Sequence, residues 1–117
     1  MTRTFIQSDE FAKNWGNLGL NDDDLRRLEL ELLENPKTGS VIQGTGKLRK
    51  MRFAFEKRGK SGSSRVCYVD FVFLETIYLI TAYAKNEKEN LSQAERNVIK
   101  KQISILEDSL KGGMENE

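Results

Sequence analysis

The spacing between apolar residues changes period twice along this chain, and that change limits the folds open to it. Before Pro36 the apolar positions recur every three or four residues. Phe11, Trp15 and Leu18 form one set; Leu25, Leu28 and Leu32, with Leu33 beside them, form a second. Such spacing lines one face of a helix. From Arg49 the period becomes two, with Met51, Phe53 and Phe55 alternating with Lys50, Arg52 and Ala54. That alternation describes a half-buried strand with its cations on one face and its large apolar groups on the other. After Ser92 the helical period returns in Ile99, Ile103, Leu106 and Leu110, a stripe that Val98 and Ile105 are expected to widen. Helices, then sheet, then a helix predict an α+β fold, with helices packed on one face of an antiparallel sheet.

Local signals place the boundaries. Thr2 to Ile6 reads as a short strand. Ser8 caps a first helix that has Asp9 and Glu10 in its opening turn, and Gly16 and Gly19 keep it short. Asn21-Asp-Asp-Asp24 starts a second helix, which Asn35-Pro36 ends, because the residue before proline leaves the α region. Val41 and Ile42 lie between two turn signals, and Gly59 to Ser64 reads as a loop. Arg65 to Phe73 and Ile77 to Tyr83 are expected to complete a three-strand meander. The second of these is apolar on both faces and so is expected at the centre of the sheet. Phe53, Phe55, Phe71 and Phe73 are assigned to the core. Ser92-x-x-Glu95 is a capping box, and Lys111-Gly-Gly113 is expected to stop the last helix. One domain over residues 1–111 and a flexible tail at 112–117 follow from these boundaries.

Composition matters most for what it removes. The chain has no histidine and a single cysteine, Cys67. Serine triads, Cys–His dyads and Cys-rich zinc sites are therefore excluded, and neither a metal nor a cofactor is expected. No apolar run approaches the ~20 residues a membrane span requires, and no leader is evident, so a cytoplasmic protein without membrane contact is expected.

Charge is unevenly distributed. Eight cations stand against one acid, Glu56, between Lys47 and Arg65, a net +7 in a chain whose total is +1. A local field of one sign attracts a polyanion even when the whole molecule is nearly neutral. Lys50 and Arg52 lie two apart on one strand. A hairpin places Arg65 near them, and the third strand delivers Lys85 just past its end. Lysine and arginine can stabilise the charge that builds on a phosphorane when an RNA 2′-hydroxyl attacks its neighbouring phosphate. Arg65 is expected to face this groove rather than the core. Tyr68 and Tyr83 offer either stacking and hydroxyl groups or buried sheet positions.

Asn35-Pro-Lys-x-Gly39, Val41-Ile-Gln-Gly-Thr-Gly46, Leu48-Arg-Lys-Met-Arg52, Ser64-Arg-Val66 and Ile80-Thr-Ala-Tyr-Ala-Lys-Asn-Glu87 together resemble the HigB branch of the RelE superfamily. The resemblance spans about residues 3–110. It implies a RelE-like fold with two N-terminal helices and one C-terminal helix. It also implies a toxin of a type II toxin–antitoxin pair that cuts messenger RNA in the ribosomal A site. A HigA-like helix-turn-helix antitoxin would neutralise it, with operator DNA contacted only through their complex. Carried over by position, Lys50, Arg52, Arg65 and Lys85 are the catalytic candidates. Lys47, Arg49, Lys57, Arg58, Lys60, Tyr83 and Asn86 are the candidates for RNA and ribosome contact. Where RelE carries a further arginine and a late tyrosine, this chain has Asn86 and Leu91, so Lys85, Tyr83 and Arg65 all stay open as proton donors. Two other readings of the same fold remain: a non-enzymatic ParE-like gyrase inhibitor, and an RNA- or partner-binding module without turnover.

Overall fold

The computed structural model describes residues 2–54 and 63–115. Its elements follow the expected order: β1 (Thr4–Gln7), α1 (Asp9–Asn17), α2 (Asp22–Glu34), β2 (Ser40–Val41), β3 (Arg49–Ala54), β4 (Ser63–Phe71), a 3-10 turn at Val72–Leu74, β5 (Thr76–Ala84) and α3 (Gln93–Glu115). The caps form where the side chains predict them. Ser8 Oγ accepts from the Phe11 N–H at 3.0 Å. Asn21 and Asp24 exchange reciprocal bonds of 2.9 Å, and Ser92 and Glu95 do the same at 3.1 and 2.8 Å. Each satisfies helix N–H groups that would otherwise lack partners.

The strands form one sheet in the order β1-β5-β4-β3-β2. The β3–β4–β5 meander is antiparallel, as expected. β1 joins the free edge of β5 in parallel, Phe5 opposite Ile77, so the sheet is mixed. The centre is β4, not β5. Every residue of β4 except Asp70 is buried, because both of its faces are covered. One core cluster joins Phe11, Trp15, Leu28 and Leu32 of α1 and α2 to Met51, Phe53, Val66, Tyr68 and Leu79. The other joins Leu91, Ile99 and Ile103 to Leu48, Cys67, Val69, Phe71, Ile80 and Tyr83. The helices therefore occupy both faces rather than one, with α3 opposite α1 and α2.

Four further expectations fail. β4 ends at Phe71, and the chain reverses through the 3-10 turn, which leaves Phe73 96% exposed instead of in the core. Val98 and Ile105 are exposed as well, each one residue, or about 100° of helix, from the buried Ile99 and the half-buried Leu106. α3 does not stop at Lys111 but continues through both glycines to Glu115. Ser63 and Ser64, expected in a loop, open β4. Phe55 lies outside the described residues.

The segment before β3 shows why its glycines are needed. Tyr68 Oη donates to the Pro36 carbonyl at 2.7 Å and accepts from the Gly39 N–H at 3.0 Å, fastening the chain after α2 to the middle of the sheet. A Cβ on Gly39 would meet the Lys50 carbonyl oxygen at 2.9 Å. Gly44 and Gly46 adopt φ of +82° and +85° around the buried Thr45, whose hydroxyl donates to the Ile42 carbonyl at 2.6 Å. The Val41–Gly46 motif is thus a turn that launches β3 in register.

Leu28→Ala, which empties a fully buried site, is expected to cost about 2–5 kcal/mol in urea unfolding, whereas Phe73→Ser changes stability by less than about 0.5 kcal/mol. Gly39→Ala, which presses on backbone, is expected to cost about 1–3 kcal/mol in the same measurement.

Candidate functional site

Strand register assembles the cationic face. Arg52 lies opposite Arg65, and Arg65 opposite Tyr83, in one row across β3, β4 and β5; Lys50 lies opposite Cys67 in a neighbouring row. Alternate residues share a face, so Lys50, Arg52, Arg65 and Tyr83 all stand on the side of the sheet that α3 packs against. Three of the four catalytic candidates therefore share one surface. Lys85 follows β5 in an exposed turn. Its N–H donates to the Ser63 carbonyl at 3.2 Å, which places its backbone two residues along from Arg65.

Arg65 is the least exposed of the four catalytic candidates. It is 5% exposed, donating through Nη1 to Ser63 Oγ at 2.9 Å and through Nη2 to Glu89 Oε1 at 3.3 Å. It therefore lies within the packed sheet, contrary to the groove-facing position expected, with only its guanidinium reaching the edge of the cluster. A guanidinium held in this way keeps its charge and its donor geometry without rearrangement. Arg52, by contrast, is exposed, and Lys50 is half-buried. Lys50 Nζ donates to Asn90 Oδ1 at 2.9 Å and to the Glu89 carbonyl at 3.3 Å.

Tyr83 is 4% exposed, and its hydroxyl is buried with no hydrogen-bond partner among the described residues. Burial, with the Cys67 sulfur nearby, raises the phenol above its ordinary pKa. The Cys67 thiol is pushed up to about 12, chiefly by burial and against the pull of Lys50. Lys88 Nζ sits 5.0 Å from the Tyr83 ring centroid and pairs with Glu95. Tyr68 is a core residue, its hydroxyl occupied by Pro36 and Gly39. A cleft of about 210 Å³ between α1 and the β5–α3 connection is lined by Glu10, Asn14, Tyr83, Lys88 and Glu95, among others.

The remaining contact candidates are dispersed. Arg49 points to the opposite face, with Nη1 on the Gly39 carbonyl at 2.6 Å. Lys47 lies towards the other end of the sheet, paired with Glu107 and 5.8 Å from the Phe71 ring centroid. Asn86 is exposed in the turn after β5. Lys57, Arg58 and Lys60 lie outside the described residues. Among the described residues no group of three or more His, Cys, Asp or Glu could hold a metal ion, and no helix is long and apolar enough to cross a membrane.

Sequence reasoning missed Glu89, Asn90 and Lys88. They lie in a polar stretch with no periodicity; the contacts of Glu89 and Asn90 reach 24 to 40 residues back along the chain to Arg65 and Lys50, while Lys88 meets Tyr83 and Glu95 close by. No local signal marks them.

Comparison with known proteins agrees with this architecture. The family described as "RelE toxin of RelE / RelB toxin-antitoxin system" matches residues 3–116. Among solved structures, a free-state E. coli RelE toxin bearing two arginine-to-alanine substitutions superposes with a TM-score of 0.54. The two are 16% identical over 76% of this chain and 90% of that one. At that identity the likeness speaks for the fold.

The buried thiol and phenols imply an alkaline limit to stability. The folded chain keeps Cys67, Tyr68 and Tyr83 protonated where an unfolded chain releases their protons. The native state then binds more protons, and stability falls as pH rises from about 9 towards 12, by at most ~1.4 kcal/mol per pH unit for each group. Urea midpoints measured from pH 8 to 11 are expected to decline, and Cys67→Ala is expected to flatten the first part of that decline.

Proposed function

Since this chain belongs to the RelE toxin family of toxin–antitoxin systems, we propose that it is a ribosome-dependent endoribonuclease. In this reading it cleaves messenger RNA in the A site with lysine and arginine in place of histidine. The observation that carries the reading is the cross-strand row of Arg52 and Arg65, with Lys50 beside it on the same face. In the proposed reaction the 2′-oxygen attacks the adjacent phosphorus as its proton is removed. The phosphorane then expels the 5′-oxygen, which takes up a proton, leaving a 2′,3′-cyclic phosphate and a 5′-hydroxyl. Arg52 and Arg65 stabilise the extra negative charge by charge-assisted hydrogen bonds that strengthen as it builds. Arginine does not release its proton and the Tyr83 hydroxyl is buried, so proton transfer is assigned to Lys50 and Lys85.

Asn86, exposed beside this face, is proposed to help seat the RNA, whereas Tyr83 is buried in the core beneath and is not placed to touch the strand. Lys57, Arg58 and Lys60 are proposed to extend the contact to the ribosome. Lys47, paired with Glu107 at the other end of the sheet, and Arg49, on the opposite face, are left out of this contact surface. The motif blocks favour the HigB branch and hence a HigA-like antitoxin as partner. Cytoplasmic action follows from the need to reach translating ribosomes.

Purified protein incubated with programmed ribosomes is expected to give discrete new 3′ ends within the translated frame, while naked messenger stays intact. An unbroken messenger on the ribosome, with gyrase inhibited instead, would turn the reading towards the ParE-like alternative. Arg65→Ala is expected to abolish growth arrest. Because that side chain is buried, Arg65→Lys is the control: it keeps the charge but loses the fork and is expected to retain only a small part of the activity. With Lys50, Arg52, Arg65 and Lys85 on single-stranded phosphates, log affinity for RNA is expected to fall against log salt with a slope of about −3, and Arg52→Ala reduces that slope by about 0.7.

A further inference from the structure

The connection between β5 and α3 folds back onto the cationic face. Glu89 Oε1 lies 3.3 Å from Arg65 Nη2, the Glu89 carbonyl lies 3.3 Å from Lys50 Nζ, and Asn90 Oδ1 lies 2.9 Å from the same amine. Three oxygens from two adjacent residues thus occupy the donors that a phosphodiester would need. The segment is held at its far end by the Ser92–Glu95 capping box and by the Lys88–Glu95 pair. The Glu89 side chain itself remains 59% exposed, against 6% for Arg65. One partner is fixed within the sheet, and the other can swing into solvent.

We propose that Glu89 and Asn90 form an internal anion strap that stands in for phosphate on Arg65 and Lys50, so that Glu89 sets which RNA the site accepts. This inference rests on the reading of the face as phosphate-binding. An isolated phosphate exchanges one anion for another on Arg65 and gains little. A strand that presents several phosphates at once displaces the carboxylate and also engages Arg52 and Lys85. The strap therefore sets a threshold that a strand making several phosphate contacts clears and a single phosphate does not. Glu89 acts through Arg65 and is a specificity-determining residue, not a catalytic one.

The test uses a 2′-O-methyl RNA hexamer, which binds without being cut, titrated into the full chain by fluorescence anisotropy at low salt. Glu89→Gln is expected to tighten binding about three- to fivefold, the scale of freeing one partly exposed ion pair. Glu87→Gln removes the same charge from the same connection, two residues away, and is expected to change binding less than about 1.5-fold. Adding Arg65→Ala to Glu89→Gln is expected to erase the gain. Unchanged or weaker binding by Glu89→Gln, or an equal gain by Glu87→Gln, overturns the strap. If Arg65→Ala alone weakens binding while Glu89→Gln gains nothing, only the strap falls. If Arg65→Ala leaves the wild-type affinity intact, the phosphate reading fails and the strap goes with it.

Discussion

The pairing of β4 with β3 and β5 decides where every candidate residue lies. Side chains alternate across a strand, so a slip of one residue would send Arg65 to the α1–α2 face and bring Val66 to the α3 face. The register is secured from several directions. Met51, Val66 and Tyr68 must reach the core beneath α1 and α2, while Cys67, Val69 and Phe71 must reach α3. Tyr68 also ties the chain after α2 to this strand through Pro36 and Gly39. Burying those large side chains, worth roughly 1.5–3 kcal/mol each, makes any other pairing costly. The cation row is a by-product of that packing.

A cluster of like charges opposes the folding that assembles it, and the structure offsets this with oxygens drawn from the chain itself. Ser63, Glu89 and Asn90 satisfy Arg65 and Lys50, and Gly39 satisfies Arg49. Leaving a buried guanidinium without acceptors would cost several kcal/mol. The same contacts hold the donors in fixed directions, which is what charge stabilisation during a reaction requires. Tyr83, on the same face, is not satisfied in this way. Its hydroxyl is buried without a partner among the described residues, next to a thiol that burial keeps neutral. Unsatisfied polar atoms of this kind are uncommon in packed interiors.

Elements that depend only on neighbours in sequence were readable from the residues. Ser8, Asn21 and Ser92 cap their helices, Asn35-Pro36 ends α2, and the alternation from Met51 marks β3. Errors arose where a choice depended on distant chain. Phe73 has strand propensity, but no partner strand continues beside it. Val98 and Ile105 fit a broad apolar stripe, yet only the narrower stripe of Ile99, Ile103, Leu106 and Leu110 packs against the sheet. The parallel docking of β1 and the placement of α3 on the second face leave no mark on local pattern, because they are settled by which edges and faces the meander leaves uncovered.

The sequence by itself determined the element order, the caps, the absence of histidine chemistry and the concentration of cations near β3 and β4. All of these are properties of residues close together in the chain. Tertiary structure alone decided that Arg65 joins Lys50 and Arg52 on one face, that Arg65 is buried, and that Glu89 and Asn90 cover the cations. Strand register and loop closure bring together groups 24 to 40 residues apart, and only the competition between packing both faces and satisfying buried polar atoms selects which of them meet.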